Sequence, residues 1–145
     1  MTYAAGEAAV LTILRLHADY SSSNTSRGDW RILDSGRDSH YVILRMGQAA
    51  NEQSAITQAM TTWQTDIMAY ERYTADGPSA ITLQGHVQTL LEHVEKYPTL
   101  QDAVTEAQIV GIGAMEQLQM VANGPIWLRT IISLQWQEER EITYS

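Results

Sequence analysis

The sequence predicts an α+β fold in which two α-helices pack on one face of a mostly antiparallel sheet. Helical and strand patterns follow in the order helix, hairpin, strand, helix, two strands. This order differs from the regular strand–helix alternation of parallel sheets. The length of 145 residues is typical of one domain, so we predict that residues 1–145 form a single domain. A chain of this size buries about 70% of its unfolded surface, which is sufficient for a core.

Two segments have the spacing of amphipathic helices. Tyr3–Tyr20 begins with an alanine-rich stretch and then places apolar residues at helical intervals. We predict that it is a folded helix and not a signal peptide, because no basic residue precedes its apolar part. The second helix is predicted to begin at Ser79, its N-cap, and to run to Lys96. Pro98 ends it, because the residue before a proline is disfavoured in helical conformation.

The other patterns are typical of β structure. A hairpin is predicted from Trp30–Leu33 and Tyr41–Met46, since turn residues separate two apolar runs. Ile56–Tyr73 alternates polar and less polar residues, which favours a long strand with one wet face, although a helix is the alternative for its first half. Ala107–Met115 contains two glycines, which indicate a bulge or a close backbone approach. Ile126–Trp136 is predicted to be a strongly apolar final strand.

Two polar stretches, Ser21–Arg27 and Gly47–Ser54, separate these elements. Both are rich in turn-forming residues, and we expect mobile loops that become ordered on contact with a partner. The chain also has four Trp, seven Tyr and no Phe. Tyr and Trp serve both cores and interfaces because each has a polar tip, although a strand aromatic is more often core. Our candidate interface residues are Trp30, Tyr41, Trp63, Tyr73, Trp127 and Trp136.

The composition argues against several functional classes. The chain has no cysteine, which excludes disulfides, thiolate metal sites and cysteine nucleophiles and fits synthesis in a reducing cytoplasm. Nine basic residues against seventeen acidic ones give a net charge of −8, so we expect no nucleic-acid binding through a basic face. No apolar run reaches the about 18 residues of a transmembrane helix, so we expect no membrane partner.

The sequence contains no motif that indicates catalysis, a cofactor or a metal. Metalloprotease, P-loop, Rossmann and nucleophile-elbow patterns do not occur, so we predict that the protein is not an enzyme and has no cofactor. His86 and His93 lie seven residues apart, about 10 Å along a helix, which is too far for one metal ion. Together with His17 and His40 they are predicted to be solvated surface histidines.

Carboxylates near strand ends are the remaining candidates for acid–base chemistry. Asp66 and Glu71 lie near the end of one predicted strand, and Glu138, Glu139 and Glu141 lie near the end of another. Carboxylates in such places are usually solvated, and nothing in the sequence indicates a raised pKa. We therefore predict that these groups are solvated and take no part in catalysis.

Three stretches resemble the tail terminator proteins of long-tailed bacteriophages, which are also called tail completion or minor tail proteins. Leu90–Leu100 (LLEHVEKYPTL) is similar to the family's helix and the Tyr-Pro breaker that follows it. Ile109–Ile112 is similar to the late strand, and Asn123–Trp136 to the closing turn and terminal strand. A first helix followed by a hairpin also matches in order, so the resemblance in architecture spans nearly the whole chain.

The resemblance implies a structural virion protein that is made in the host cytoplasm and lies at the tail or neck of the particle. Such proteins form a homohexameric ring that caps the tail tube protein and offers a surface to the head–tail connector or stopper protein. Genome DNA passes through the lumen without specific binding, and an acidic chain fits a lumen in which DNA slides. Two alternatives stay open: a head-side neck adaptor or stopper protein, and a small ligand-binding or enzymatic α+β domain.

Overall fold

The computed structural model of the chain describes residues 2–143. Within this range, two helices and seven strands make up the regular structure. They are α1 Tyr3–Leu14, β1 Thr25–Arg27, β2 His40–Met46, β3 Ala50–Ala55, β4 Gln58–Arg72, α2 Ser79–Glu95, β5 Ala107–Ile112, β6 Glu116–Gln119 and β7 Ile126–Glu141. A short 3-10 helix spans Trp30–Ser35.

The seven strands form one sheet with the order β1-β2-β4-β7-β5. β3 pairs with the beginning of β4, and β6 pairs with the beginning of β7. All of these pairs are antiparallel except β1 with β2, which are parallel. The long neighbours β4 and β7, of 15 and 16 residues, form the centre, so the long strand predicted over Ile56–Tyr73 is confirmed.

Buried side chains lie on both faces of the sheet. On one face, α1 and α2 pack against β2, β4 and β7 through a cluster that includes Val10, Ile13, Leu14, Val42, Leu44, Ile67, Ala69, Leu83, Leu90, Val94, Ile132 and Leu134. On the other face, the 3-10 helix covers a smaller cluster of Leu33, Tyr41, Ile43, Met68, Tyr70 and Trp127. The predicted α+β class is therefore confirmed.

The N-terminal helix is shorter than predicted. Thr2 caps it, since its Oγ1 accepts a hydrogen bond from the backbone N–H of Ala5 at 3.2 Å. The helix ends at Leu14 and not at Tyr20, because the chain then turns back so that the Tyr20 side chain, 3% exposed, joins the core. The predicted mobile loop that follows contains β1, and the side chain of Asn24 accepts a bond from the Ser21 N–H at 2.9 Å.

The predicted hairpin is wrong in its first strand. Trp30–Leu33 belongs to the 3-10 helix, which Asp29 caps by accepting from the Arg31 N–H at 3.1 Å. Its apolar side chains reach the sheet from outside, and Trp30 Nε1 donates to Tyr70 Oη at 3.0 Å. β2 is the strand that was predicted over Tyr41–Met46, but its antiparallel partner is β4.

The second helix spans Ser79–Glu95, close to the prediction. Ser79 is not its N-cap: its hydroxyl oxygen accepts from the Thr74 N–H at 3.0 Å, and Pro78 occupies the cap position. In the C-terminal part, the register of β5 shifts between Ile109 and Gly111, which confirms the predicted bulge. The short polar strand β6 was not predicted.

Candidate functional site

Four histidine rings and one tyrosine ring form a continuous row between the helices and one end of the sheet. In order they are His93, His17, Tyr20, His40 and His86, and we call this set the histidine row. The successive ring centroids are 5.1, 5.6, 5.6 and 3.8 Å apart. The rings of His40 and His86 are stacked almost parallel, at 3°. The row therefore joins the turn after α1, the start of β2 and two turns of α2.

Hydrogen bonds fix the orientation of the buried rings in the histidine row. His40 Nδ1 donates to the backbone carbonyl of Tyr70 at 2.9 Å, because a carbonyl oxygen can only accept. Its Nε2 therefore accepts from the hydroxyl of Tyr20 at 3.0 Å. His93 Nε2 donates to the backbone carbonyl of Ile13 at 2.7 Å, which ties α2 to the last turn of α1.

A buried carboxylate completes one end of the row. Glu71 is 5% exposed and lies directly opposite His40 in the pairing of β2 with β4. Its Oε2 lies 3.7 Å from His40 Nδ1 and 3.8 Å from His86 Nε2. Among residues 2–143 this oxygen has no hydrogen-bond partner. Burial raises the pKa of Glu71, although a hydrogen bond with the side chain of Ser39 opposes the rise.

The two imidazoles beside this carboxylate favour their neutral form. Burial, followed by the neighbouring His86, lowers the pKa of His40 to about 4. Burial also lowers the pKa of His86, which lies nearer the surface. At neutral pH each ring therefore carries one N–H and one lone pair, and the lone pair of His40 accepts the bond from Tyr20. Two neutral imidazoles and one carboxylate are ligand types that first-row transition metals bind.

The prediction of solvated histidines is wrong for His40 and His93, which are both 6% exposed. The spacing of His86 and His93 correctly indicated that these two residues do not share a site. His86 instead stacks on His40, which lies on a different element. Spacing along the chain cannot reveal this contact. The site could have been found if the pairing of β2 with β4 had been known, because this pairing places His40 opposite Glu71.

The predicted solvated carboxylates are also partly wrong. Asp66, Glu71 and Glu138 are buried, at 6%, 5% and 9% exposure. Asp66 Oδ2 accepts from Arg45 Nε at 3.0 Å. Residues an odd number of positions apart on a strand point to opposite faces, so Asp66 and Glu71 cannot act as a pair. Glu139 is exposed, in agreement with the prediction.

Three of the six candidate interface aromatics are buried in the core of this chain. Tyr41, Trp127 and Trp136 are 0%, 4% and 1% exposed. The first two lie under the 3-10 helix, and Trp136 lies under α1. They therefore offer no surface to a partner, and their assignment as interface residues is corrected.

The other three candidate aromatics reach the surface. Trp30 and Tyr73 are 38% and 43% exposed. Trp63 is half-buried, and its Nε1 donates to Glu138 Oε1 at 3.2 Å. These three residues keep the surface that an interface role requires.

The far end of the sheet from Glu71 forms a three-stranded extension. It consists of β3, the first residues of β4, Gln58–Thr62, and the last residues of β7, Gln137–Glu141, and we call it the β arm. All six residues of β3 are exposed. The second predicted mobile loop is therefore wrong, because it contains this strand. Among the described residues, β3 pairs only with β4, so its other edge is open.

A comparison with protein-family models and with curated protein sequences gives no significant match. Neither α1 nor α2 is long and apolar enough to cross a membrane, and the same holds for every helix within residues 2–143.

Proposed function

We propose that the protein is a structural assembly protein of the tail terminator type, which forms a ring on the phage tail tube and joins it to the head connector. The observation that carries this proposal is the β arm. β4 and β7 are about 50 Å long at the usual rise of a strand, and at their far end they support an edge strand, β3, that is exposed along its whole length. Such an edge presents unpaired backbone N–H and C=O groups to another chain.

The opposite edge of the sheet offers a second surface. It is formed by β5, whose Val110 and Ile112 side chains are 48% and 52% exposed. Contact between two different edges of successive subunits is head-to-tail, and such contacts produce a closed ring when the rotation between subunits closes. Ile56, in the turn of the β arm, is 76% exposed and adds apolar area at that end. These features support a ring built by neighbouring copies of the sheet.

The charge of the chain supports the same proposal. A net charge of −8 does not attract a phosphate backbone, so genome DNA in the lumen would pass without specific binding. In this proposal the partners are further copies of the chain, the tail tube protein on one side of the ring and the connector or stopper protein on the other. The place of action is the tail or neck of the virion.

The proposal is tested by the oligomeric state of the purified full chain, alone and with tail tube protein. We expect a ring, with six subunits, in native mass spectrometry and negative-stain electron microscopy. We also expect the ring to stop the growth of tail tubes when it is added to polymerising tube protein. A chain that stays monomeric even with tube protein would refute the proposal. Binding to the portal-side ring and not to the tube would instead indicate a neck adaptor or stopper.

Two substitutions of equal exposure locate the contact surface. Ile112 on β5 and Leu16 after α1 are both 52% exposed. Ile112→Asp places a charge on the proposed sheet-edge contact and should weaken ring formation by about tenfold or more, since about 1.4 kcal/mol corresponds to a factor of ten. Leu16→Asp places the same charge on the helical side and should leave ring formation unchanged. The reverse result would assign the contact to the helices.

A further inference from the structure

Three side chains of metal-ligand type meet at the end of the sheet opposite the β arm. His40 begins β2, Glu71 is near the end of β4, and His86 lies on α2. Their potential ligand atoms, one from each residue, all lie within 4.8 Å of one another. We propose that His40, Glu71 and His86 form a binding site for a divalent transition-metal ion of the Zn²⁺ class.

The carboxylate supplies the first argument. Glu71 Oε2 is buried and has no hydrogen-bond partner among the described residues, which is costly for a polar atom and unusual in a folded protein. It faces one nitrogen of each histidine, at 3.7 and 3.8 Å. A cation between these atoms would satisfy the carboxylate and bind one lone pair of each ring, once the proton on His40 Nδ1 has moved to Nε2. An orphaned oxygen between two imidazoles is thus explained by an ion that binds all three groups.

Two of the three distances between the ligand atoms are close to those of a bound site. Metal–ligand bonds of about 2.0–2.2 Å in tetrahedral geometry place neighbouring ligand atoms about 3.3–3.6 Å apart. The two N–O distances of 3.7 and 3.8 Å lie just above this range, and all three atoms lie within 4.8 Å of one another. The stacked rings must turn relative to each other so that both lone pairs face the ion. His86 can make this movement, because its side chain is 28% exposed on the surface of α2.

Tyr20 is positioned to support His40 as a ligand. If Nδ1 binds the ion, it gives up its hydrogen bond to the Tyr70 carbonyl. The ring then carries its proton on Nε2, which donates a hydrogen bond to the Tyr20 hydroxyl oxygen at 3.0 Å. The hydroxyl then changes from donor to acceptor without moving. Histidine ligands usually donate their second N–H to such a partner, which fixes the ring and its tautomer. Tyr20 is therefore a positioning residue for the proposed site.

The donor set selects the kind of ion. Two imidazole nitrogens and one carboxylate oxygen favour Zn²⁺, Co²⁺ or Ni²⁺, whereas Mg²⁺ and Ca²⁺ prefer oxygen ligands alone. The negative charge of Asp19 acts on both histidines and also favours a cation. The bound ion would connect α2 to β2 and β4. All three ligands come from one chain, so the site does not depend on ring formation.

The test uses the full chain after treatment with a chelator and dialysis. Isothermal titration with ZnCl₂ should show one ion per chain, and Co²⁺ should give the visible absorption of a bound tetrahedral ion. Glu71→Gln and His86→Gln should each weaken Zn²⁺ binding by about 100-fold or more, since even loss of a supporting residue costs about 10–100-fold. Glu95→Gln is the matched control for Glu71→Gln, because it makes the same change at an exposed carboxylate at the end of α2, and it should bind as the wild type does.

A second measurement is the melting temperature. Free Zn²⁺ at about 100 times its dissociation constant should raise the melting temperature of the wild type by roughly 5–10 °C, and this shift should disappear in both ligand variants. Two ligand variants are used so that the test still gives a result if one of them does not fold. Absence of binding in the wild type would overturn the proposal. Unchanged binding in a folded ligand variant, or loss of binding in Glu95→Gln, would overturn it as well.

Discussion

Gly6 lies on α1 directly against the indole ring of Trp136. A Cβ atom at position 6 would be 2.3 Å from Trp136 Cζ2 and 2.7 Å from Cε2, well inside the 3.4 Å at which ordinary contact begins. Trp136 is 1% exposed and stacks on Tyr3 with ring centroids 5.7 Å apart. Gly6→Ala must therefore displace the buried indole from its stack on Tyr3 or push α1 away from the sheet.

The magnitude follows from two opposing terms. Alanine stabilises a helix interior by about 1 kcal/mol relative to glycine, and overpacking a core costs about 1–3 kcal/mol. The approach of 2.3 Å places this site toward the upper end of the overpacking range. After the gain in helix propensity is subtracted, Gly6→Ala should destabilise the protein by about 1–2 kcal/mol. Gly85 on α2 is the matched control, since no atom lies within 4 Å of an added Cβ. Gly85→Ala should stabilise by about 1 kcal/mol.

Urea denaturation followed by tryptophan fluorescence and circular dichroism measures both variants. The free energies of unfolding should differ by about 2–3 kcal/mol between the two substitutions, at an unchanged dependence on urea concentration. If Gly6→Ala proves as stable as the wild type while Gly85→Ala is stabilised, then α1 does not pack against Trp136 as described. If neither variant changes stability, the reasoning from helix propensity fails.

Three further predictions concern buried polar groups. Arg27→Ala removes the 2.8 Å contact between Arg27 Nε and the buried Glu7 Oε1, and should lower the free energy of unfolding in urea by about 1–3 kcal/mol; adding Glu7→Gln should recover part of this loss. His93→Ala removes a buried ring and its 2.7 Å hydrogen bond to the Ile13 carbonyl, which keeps a bond from the Leu16 N–H, and should cost about 2 kcal/mol by the same measurement. Burial and the bond to Glu7 raise the pKa of Tyr3 above its usual value of 10.0. As the pH rises, Tyr3 therefore ionises in the unfolded state before it does so in the folded state. Its contribution to the free energy of unfolding is fully present below pH 10 and is lost as the pH rises above that value. Tyr3→Phe should flatten this alkaline fall, and an equally steep fall in the variant would contradict the assignment.

The elements that the sequence predicted well are those whose pattern is long and local. The strand over Ile56–Tyr73 and the helix over Ser79–Lys96 each repeat their hydrophobic period several times, and both are present to within a few residues. Gly111 in β5 correctly indicated a bulge, because a glycine weakens a strand interior and often marks such an irregularity. Each of these features depends on neighbours in the chain.

The features that were missed depend on contacts between distant residues. Trp30–Leu33 has the composition of a strand, but the segment forms a 3-10 helix. The indole N–H of Trp30 then donates to the Tyr70 hydroxyl on the sheet. The strand β6 is too short and polar to show a period. The site at Glu71 needs three elements at once, and its position becomes visible only when the register of β2 on β4 is known. A single sequence does not contain that register in any local signal.

β4 runs from the β arm to the proposed metal site and keeps the two far apart. Gln58 lies in the β arm and Glu71 in the metal site, about 40 Å apart at the rise of a strand. The stretch between them is packed on both faces of the sheet, so a change at one end that leaves the core intact should not disturb the other. His86→Gln should therefore lose Zn²⁺ and keep the ring, whereas Ile56→Asp, in the turn of the β arm, should lose the ring and keep Zn²⁺. A folded His86→Gln protein that no longer forms rings would place the metal end of the sheet within the contact between subunits.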